Sequence, residues 1–154
     1  MLNSQLSALI RKGTAGCNRN DMNTAIEKIA LSDQLEERLI DFAAQILNLA
    51  GRLPKTFQAR HIARQILRCG TAGAPNYAEA RGAESRQDFI HKMRIVGKEL
   101  NETAVWLRII RKSSLLSPEF IACILTENTE LSRIVSASIK TARTRGVTSP
   151  RMRI

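Results

Sequence analysis

The segment from Phe89 to Ile110 repeats apolar residues at alternating steps of four and three, and this repeat constrains the fold more than any other feature. The apolar members are Phe89, Met93, Val96, Leu100, Leu107 and Ile110, and Thr103 occupies the remaining position of the repeat. A helix of 3.6 residues per turn brings such positions onto one seam, whereas a strand requires a period of two. Ser85 and Asp88 match a capping pattern just upstream. The sequence therefore predicts a long amphipathic helix beginning near residue 85.

Two further segments have helical periodicity. The earlier one carries the apolar stripe Leu35, Leu39, Phe42, Ile46 and Leu49. Asp33 and Glu36 match a capping box, which predicts that this helix begins at Asp33, and Gly51 followed by Pro54 predicts its end. The later one begins at Ser117-Pro118, a capping serine followed by proline at the first helical position, and should run to about Arg143. Its apolar side consists of Ile121, Ile124, Leu131, Ile134 and Val135.

The segment between these helices allows two interpretations. A helix should start near Thr56 and direct Ile62, Ile66 and Leu67 toward the core. The following residues include Gly70, Gly73, Pro75 and Gly82, which by propensity form a loop. In the alternative, the helix continues with a kink, and its small residues let a neighbouring helix approach closely. The residues alone leave this choice open.

Length and composition define the domain organisation. A chain of 154 residues can bury one core, and with only 4% aromatic residues that core must be aliphatic. We predict an all-α, antiparallel up-down four-helix bundle over residues 32–143. Residues 1–31 lack sustained periodicity and are expected to form a loosely ordered arm, while residues 144–154 read as a basic tail. Composition also suggests that residues 1–21 extend a shorter chain that begins at Met22.

The cysteines indicate a reducing compartment. Cys17, Cys69 and Cys123 are odd in number, are widely spaced and form no CxxC pair. No stretch resembles a signal peptide or a membrane span. We therefore expect a cytoplasmic protein with free thiols and no membrane association.

The charge points to a polyanionic partner. Lys and Arg number 24 against 14 Asp and Glu, which gives a formal net charge of +10. Much of the excess is arginine, whose planar fork suits phosphate, so nucleic acid is the leading partner. Binding should be sensitive to salt and largely independent of sequence, because no base-reading motif is present. The candidate nucleic-acid-binding residues are Arg60, Arg64, Arg94, Lys98, Arg108, Arg111, Lys112, Lys140 and Arg143.

Catalytic, metal and cofactor sites are not expected. Glu79, Glu99 and Glu102 lack the Glu-x-x-His spacing of helical di-metal centres. We interpret the polar residues near them as a buried network that fixes helix register. Its predicted members are Arg68, Asn76, Glu79, Arg86, Asn101 and Glu102.

Other local patterns have structural interpretations. The GTAG motif at residues 70–73 follows no strand and lacks the Lys-Ser/Thr of a P-loop, so it indicates close helix packing. A nucleophilic cysteine needs a general base that a carboxylate orients, and the sequence offers no such pair for Cys69. Cys69 is therefore interpreted as a core thiol. Tyr77 and Trp106 are too few for a base-stacking platform, and we expect Trp106 to make a bundle or subunit contact.

A family resemblance is carried by QILRCGTAGAPNYAEARGAESRQDFIHKMRIVGKELNETAVWLRII and by ELSRIVSASIKTAR further on. These stretches resemble the four helix bundle proteins encoded in intervening sequences of bacterial 23S ribosomal RNA genes. The matching positions are Arg68, Gly70, Asn76, Tyr77, Glu79, Ala80, Ser85, Asp88, Phe89, Lys92, Asn101, Glu102 and Trp106. Cys69 and Pro75 depart from the family pattern, in which Ser and Ala are usual.

The resemblance implies a fold and an assembly. In the family the Gly-rich block lies within a long second helix, which favours the helical interpretation here. Related accessory variability determinant proteins form basic homopentameric barrels that bind nucleic acid and a reverse transcriptase. This sequence resembles the ribosomal intervening-sequence branch more closely, so the retroelement role is not transferred to it. From the resemblance and the basic charge together, we expect a non-enzymatic homopentamer that binds nucleic acid, with RNA favoured. The alternative is a scaffold or accessory subunit that recruits a nucleic-acid enzyme such as a reverse transcriptase.

Overall fold

The computed structural model describes the backbone of residues 19–144 and the side chains from residue 29 onward, and it is entirely helical between its turns. The helices are α1 (Arg19–Arg52), α2 (Phe57–Arg81), α3 (Arg86–Lys112) and α4 (Pro118–Thr144). No strand occurs in this range. The all-α prediction and the four-helix bundle are therefore confirmed. Residues 1–18 of the predicted arm and residues 145–154 of the predicted tail lie outside the described part of the chain.

The chain divides into two units after Gln34, and α1 contributes to both. The first unit contains the helical residues 19–34. The predicted helix start at Asp33 is wrong, because α1 begins at Arg19 and passes through Asp33 without interruption. Residues 24–31 contain strong helix formers such as Ala25, Glu27 and Leu31, so the helix needs no new start at Asp33. The second unit, from Leu35, forms the bundle.

The other helix starts were predicted correctly. The hydroxyl of Thr56 accepts a hydrogen bond from the backbone amide of Ala59 at 3.2 Å, and Ser85 accepts one from Asp88 at 3.1 Å. Ser117 accepts one from Phe120 at 3.3 Å. Each cap satisfies an amide that has no partner within its own helix, and so fixes where the helix begins.

Helix α2 runs without interruption through the Gly-rich block, as the family resemblance implies. Gly70 and Gly73 are buried against α1. A Cβ atom at Gly70 would lie 2.8 Å from Cγ2 of Ile46, closer than real contacts allow, so glycine permits the approach of the two helices. Packing against α1 therefore outweighs the low helix propensity of glycine and of Pro75.

The core is formed by the predicted apolar stripes. Every stripe residue of α1 is buried, and so are those of α3 except Phe89, which is half-buried. Asn128 of α4 is also buried, although nothing in the sequence analysis identified it, and its Oδ1 has no hydrogen-bond partner among the described residues.

Contacts between neighbouring helices show that they are antiparallel. Helices α2 and α3 meet where Lys92 pairs with Glu79 and again where His61 packs against Trp106, so residue numbers rise along one helix as they fall along the other. Helices α1 and α2 show the same reversal, because Glu36 pairs with Arg81 whereas Ile46 contacts Gly70.

The fourth helix closes the bundle. Arg52 of α1 lies over the ring of Phe120, while Arg38 reaches Glu127 further along α4. Gly97 of α3 lies close to Val135. Helix α4 thus packs between α1 and α3 on the side opposite α2, and the ends of the helices gather into two groups.

Candidate nucleic-acid interface

The nine predicted binding residues are all exposed. Arg60 and Arg64 lie on α2, Lys140 and Arg143 lie on α4, and the other five belong to α3. Among the residues that the structure describes, none of the nine forms an ion pair with a carboxylate. Each cation is therefore available to an anionic partner.

The bundle places eight of these nine residues at its two ends. Because His61 contacts Trp106, the first turns of α2 lie level with the last turns of α3. Five of the predicted residues gather there: Arg60, Arg64, Arg108, Arg111 and Lys112. Arg94, Lys140 and Arg143 lie toward the opposite end, and Lys98 lies between the groups. The predicted set is not one continuous patch.

We use the name basic end for residues 48–64 together with residues 105–120. Arg52 and Lys55, which the sequence analysis did not select, join the five predicted cations here. Glu119 is the carboxylate in these two stretches. Cations at the C-terminal turns of α1 and α3 also interact favourably with the helix dipoles. The basic end thus combines seven cations with a single carboxylate.

Two contacts hold cations of the basic end in place. The guanidinium carbon of Arg52 lies 4.7 Å from the centre of the Phe120 ring, which is cation–π geometry. Nη1 of Arg60 donates a hydrogen bond to the backbone carbonyl of Lys55 at 2.9 Å. Neither contact neutralises the charge, so both cations keep their attraction for phosphate.

The opposite end has a different composition. It comprises residues 35–41, 75–94 and 137–144, which contain the cations Arg38, Arg81, Arg86, Lys92, Arg94, Lys140 and Arg143. The same stretches contain the carboxylates Glu36, Glu37, Asp41, Glu79, Glu84 and Asp88. Several of these charges form ion pairs between helices: Glu36 with Arg81, Glu79 with Lys92 at 2.7 Å, and Arg38 with Glu127 of α4.

The predicted single buried network is wrong. The structure does bring Arg68 and Glu102 together in an ion pair between α2 and α3. Glu79 pairs with Lys92 instead of with Arg68 or Arg86, and Asn76 donates within its own helix to Ala72 at 2.8 Å. The side chains of Arg86, Asn101 and Glu79 are exposed. These residues project to solvent because they lie outside the apolar seams of their helices.

The Arg68–Glu102 contact includes Trp106. Its indole nitrogen donates to Oε1 of Glu102 at 3.3 Å, and its ring packs edge-on against His61 with centroids 6.0 Å apart. The hydrogen bond from Arg68, followed by that from Trp106, lowers the pKa of Glu102 below its ordinary value. The prediction that Trp106 makes a bundle contact is therefore confirmed.

Glu99 lies beside this contact. Nη1 of Arg68 is 4.0 Å from Oε2 of Glu99, which is within ion-pair range but too long for a hydrogen bond. Oε2 is itself buried and has no hydrogen-bond partner among the described residues. The charges between α2 and α3 are therefore paired but incompletely hydrogen-bonded.

The two cysteines within the described range differ in environment. Cys69 is buried, and this burial raises the pKa of its thiol. A raised pKa disfavours the thiolate, so the interpretation of Cys69 as a core thiol is confirmed. Cys123 is exposed. No three His, Cys, Asp or Glu side chains converge on a possible metal position within residues 29–144.

One exposed aromatic residue was overlooked. Phe57 follows the Thr56 cap at the basic end and is 75% exposed. The two aromatic residues weighed for base stacking from the sequence were Trp106 and Tyr77, of which Tyr77 is buried. Phe57 lies three residues before Arg60 and seven before Arg64, and this helical spacing could have identified it.

Comparison with known proteins identifies the family to which this chain belongs. The profile of the 23S rRNA-intervening sequence protein family matches residues 32–137, so the chain belongs to that family. A solved structure from the S23 ribosomal protein family of Bacteroides thetaiotaomicron, described as a protein of unknown function, is similar to this chain. It is 34% identical, covers 69% of this chain and 98% of its own, and superposes with a TM-score of 0.66.

Neither the matching family nor this solved structure has an enzymatic description. No curated protein sequence matches the chain significantly. Within residues 19–144, every helix falls short of the combination of length and apolar character that would let it cross a bilayer.

Proposed function

We propose that this protein is a non-enzymatic, cytoplasmic nucleic-acid-binding protein, and that the basic end makes the main contacts. The observation that carries the proposal is the composition of that end, where seven cations accompany only Glu119 and form no ion pair with any carboxylate that the structure describes. Such a surface binds phosphates by releasing their counterions. RNA is the favoured target because of the genomic setting of the family that the sequence resembles.

The salt dependence of binding tests this proposal. Filter binding with labelled RNA should show association at low salt, and the logarithm of the affinity should fall linearly with the logarithm of salt concentration. If one protomer uses five to seven cations, the slope for a duplex should be roughly −4.5 to −6.3. A lack of association at low salt would overturn the proposal. An affinity independent of salt would contradict its electrostatic basis.

We also propose that the bundle assembles as a homopentamer. Its resemblance to pentameric relatives supports this, and so do the exposed side chains of Ile40 and Leu47. These residues lie seven apart on α1 and therefore share one face of the helix. Light scattering coupled to size-exclusion chromatography would measure the assembly, and a monomer at micromolar concentration would contradict it.

The same apolar residues favour a second candidate function, that of a scaffold for another protein. In that case the face of α1 that carries Ile40 and Leu47 would bind a different protein, such as a nucleic-acid enzyme. Replacing Ile40 and Leu47 with Ser distinguishes the two uses. Loss of self-association supports the homopentamer, whereas an unchanged oligomer with loss of a protein partner supports the scaffold.

A further inference from the structure

The groove on the outer side of α2 at the basic end combines an exposed aromatic ring with two cations. It has a volume of about 460 Å³ and is lined by Phe57, Arg60, Ala63, Arg64 and Leu67. The spacing of 57, 60, 64 and 67 places these residues on one stripe of the helix. The groove is thus a continuous surface of one helix with an aromatic residue at its N-terminal edge.

Phe57 contributes little to the bundle. It is the most exposed large apolar side chain among those described, at 75%, and it lies outside the hydrophobic core. An aromatic side chain that stays 75% exposed gains little free energy from burial on folding. A substitution at Phe57 should therefore leave the fold intact, and the ring is available to a ligand.

The neighbouring charges restrict the chemistry of that ligand. Arg60 and Arg64 are exposed, whereas Arg68, one turn further along α2, is paired with Glu102. The ligand must offer negative charges to two guanidinium groups and a flat or apolar group to the ring. Single-stranded nucleic acid offers both, because its bases are unstacked while its phosphates remain nearby. A duplex offers phosphates but keeps its bases inside the stack.

We propose that this groove binds unpaired nucleotides, with a base stacked on Phe57 and the adjoining phosphates contacted by Arg60 and Arg64. The inference rests on the proposed nucleic-acid-binding function and specifies single-stranded segments as the preferred form. The positive end of the α2 dipole, which has no acidic residue in its first turn, adds to the attraction for phosphate at Phe57. Base identity is not read, since every base has a π-face.

The test uses the full chain and two probes with equal numbers of phosphates, an unstructured oligouridine and an RNA duplex. Phe57→Leu keeps an apolar side chain but removes the aromatic face, whereas Phe57→Trp keeps the face. We expect Phe57→Leu to weaken oligouridine binding about tenfold and to change duplex binding less than about twofold. Phe57→Trp should bind oligouridine at least as tightly as the wild type.

A second readout detects stacking directly. Oligouridine should quench the fluorescence of the tryptophan introduced by Phe57→Trp, after subtraction of the Trp106 signal, and inorganic polyphosphate should not. Equal quenching by polyphosphate would show that the ring senses charge alone and would overturn the inference.

The remaining outcomes separate this inference from the proposed function. If the wild type binds neither probe, both fail. If it binds both probes and Phe57→Leu changes neither affinity, only the stacking site fails. If Phe57→Leu instead yields a smaller oligomer in light scattering, with unchanged binding per protomer, the groove is a contact between copies and the inference is overturned.

Discussion

The two ends of the bundle contain equal numbers of cations but very different numbers of carboxylates. At the opposite end, seven cations are interspersed with six carboxylates, and ion pairs connect α1 with α2 and α2 with α3. At the basic end, seven cations share the surface with Glu119. The ends therefore differ in their number of carboxylates and not in their number of cations, and we expect the end with fewer carboxylates to attract a polyanion more strongly.

The largest expected effect comes from reversing charges at one end at a time. Arg60→Glu, Arg64→Glu and Arg111→Glu together should weaken RNA binding about 100-fold or more at low salt, because three phosphate contacts become repulsive. The measurement is filter binding, with circular dichroism to confirm folding.

The matched control changes the net charge by the same amount at the opposite end. Arg86→Glu, Arg94→Glu and Lys140→Glu should weaken binding only through the long-range field, by about fivefold or less. Equal losses in both triple variants would show that net charge alone drives binding and would remove the distinction between the ends.

A smaller effect is expected where Ile46 of α1 packs against Gly70 of α2, between the two ends. Gly70→Ala should reduce the free energy of unfolding by about 1–2 kcal/mol, because crowding against Ile46 exceeds the gain in helix propensity. Urea unfolding measures it. Gly51→Ala is the control, since a Cβ there meets no atom within 4 Å and should stabilise by up to about 1 kcal/mol.

The Gly70→Ala variant also tests whether the ends work independently of bundle stability. RNA affinity at low temperature should match that of the wild type, because the basic end is unchanged. A parallel loss of affinity would indicate that binding depends on the packing between α1 and α2.

The ion pair between Arg38 and Glu127 should contribute to stability but not to binding. It is bidentate, with both donor-to-acceptor distances at 3.0 Å, yet both side chains are partly exposed and screened by solvent. Arg38→Met should therefore reduce the free energy of unfolding by about 0.5–1 kcal/mol. A loss of RNA affinity beyond about twofold in this variant would assign a binding role to the paired charges.

The smallest effect concerns the pH dependence of the Arg68–Glu102 contact. The lowered pKa of Glu102 means that its stabilising contribution is complete above the ordinary glutamate pKa and is lost as the pH falls through the folded-state pKa. Between pH 7 and pH 3, the wild type should therefore lose about 1–2 °C more in Tm than Glu102→Gln. A larger decrease in Glu102→Gln would contradict the direction of this pKa shift.

The basic end was only partly predictable. Arg60, Arg64, Arg108, Arg111 and Lys112 were selected from the sequence as exposed cations, and each is exposed. These five residues lie together, separate from Arg94, Lys140 and Arg143. This grouping depends on which turns of α2 pack beside which turns of α3. Phe57 was not predicted as a binding residue because an aromatic residue next to a helix cap can be either buried in the core or exposed. Its exposure depends on the direction in which α2 leaves the turn.

Partner choice among charged residues was the least predictable feature. Arg68 and Glu102 were placed in one network with Asn76, Glu79, Arg86 and Asn101, yet Glu79 pairs with Lys92. Long charged side chains reach several positions on a neighbouring helix, so spacing along the chain does not select one partner. The relative position and rotation of the packed helices determine which partner each charged side chain contacts.

The apolar repeats and capping residues by themselves determined the helical class, the core faces and three of the four helix starts, because these depend on contacts within a few residues. They did not determine the start of α1, because that helix runs through the plausible cap at Asp33. They also left the continuity of α2 through its glycines open, and only the family resemblance favoured it. The continuity of α2 and the separation of the charges into two unlike ends were decided by tertiary packing, whereas the early start of α1 agrees with the local helix propensity of the residues before Asp33. Close contact between α1 and α2 outweighs the intrinsic cost of glycine in a helix, and the antiparallel arrangement brings distant turns to the same level.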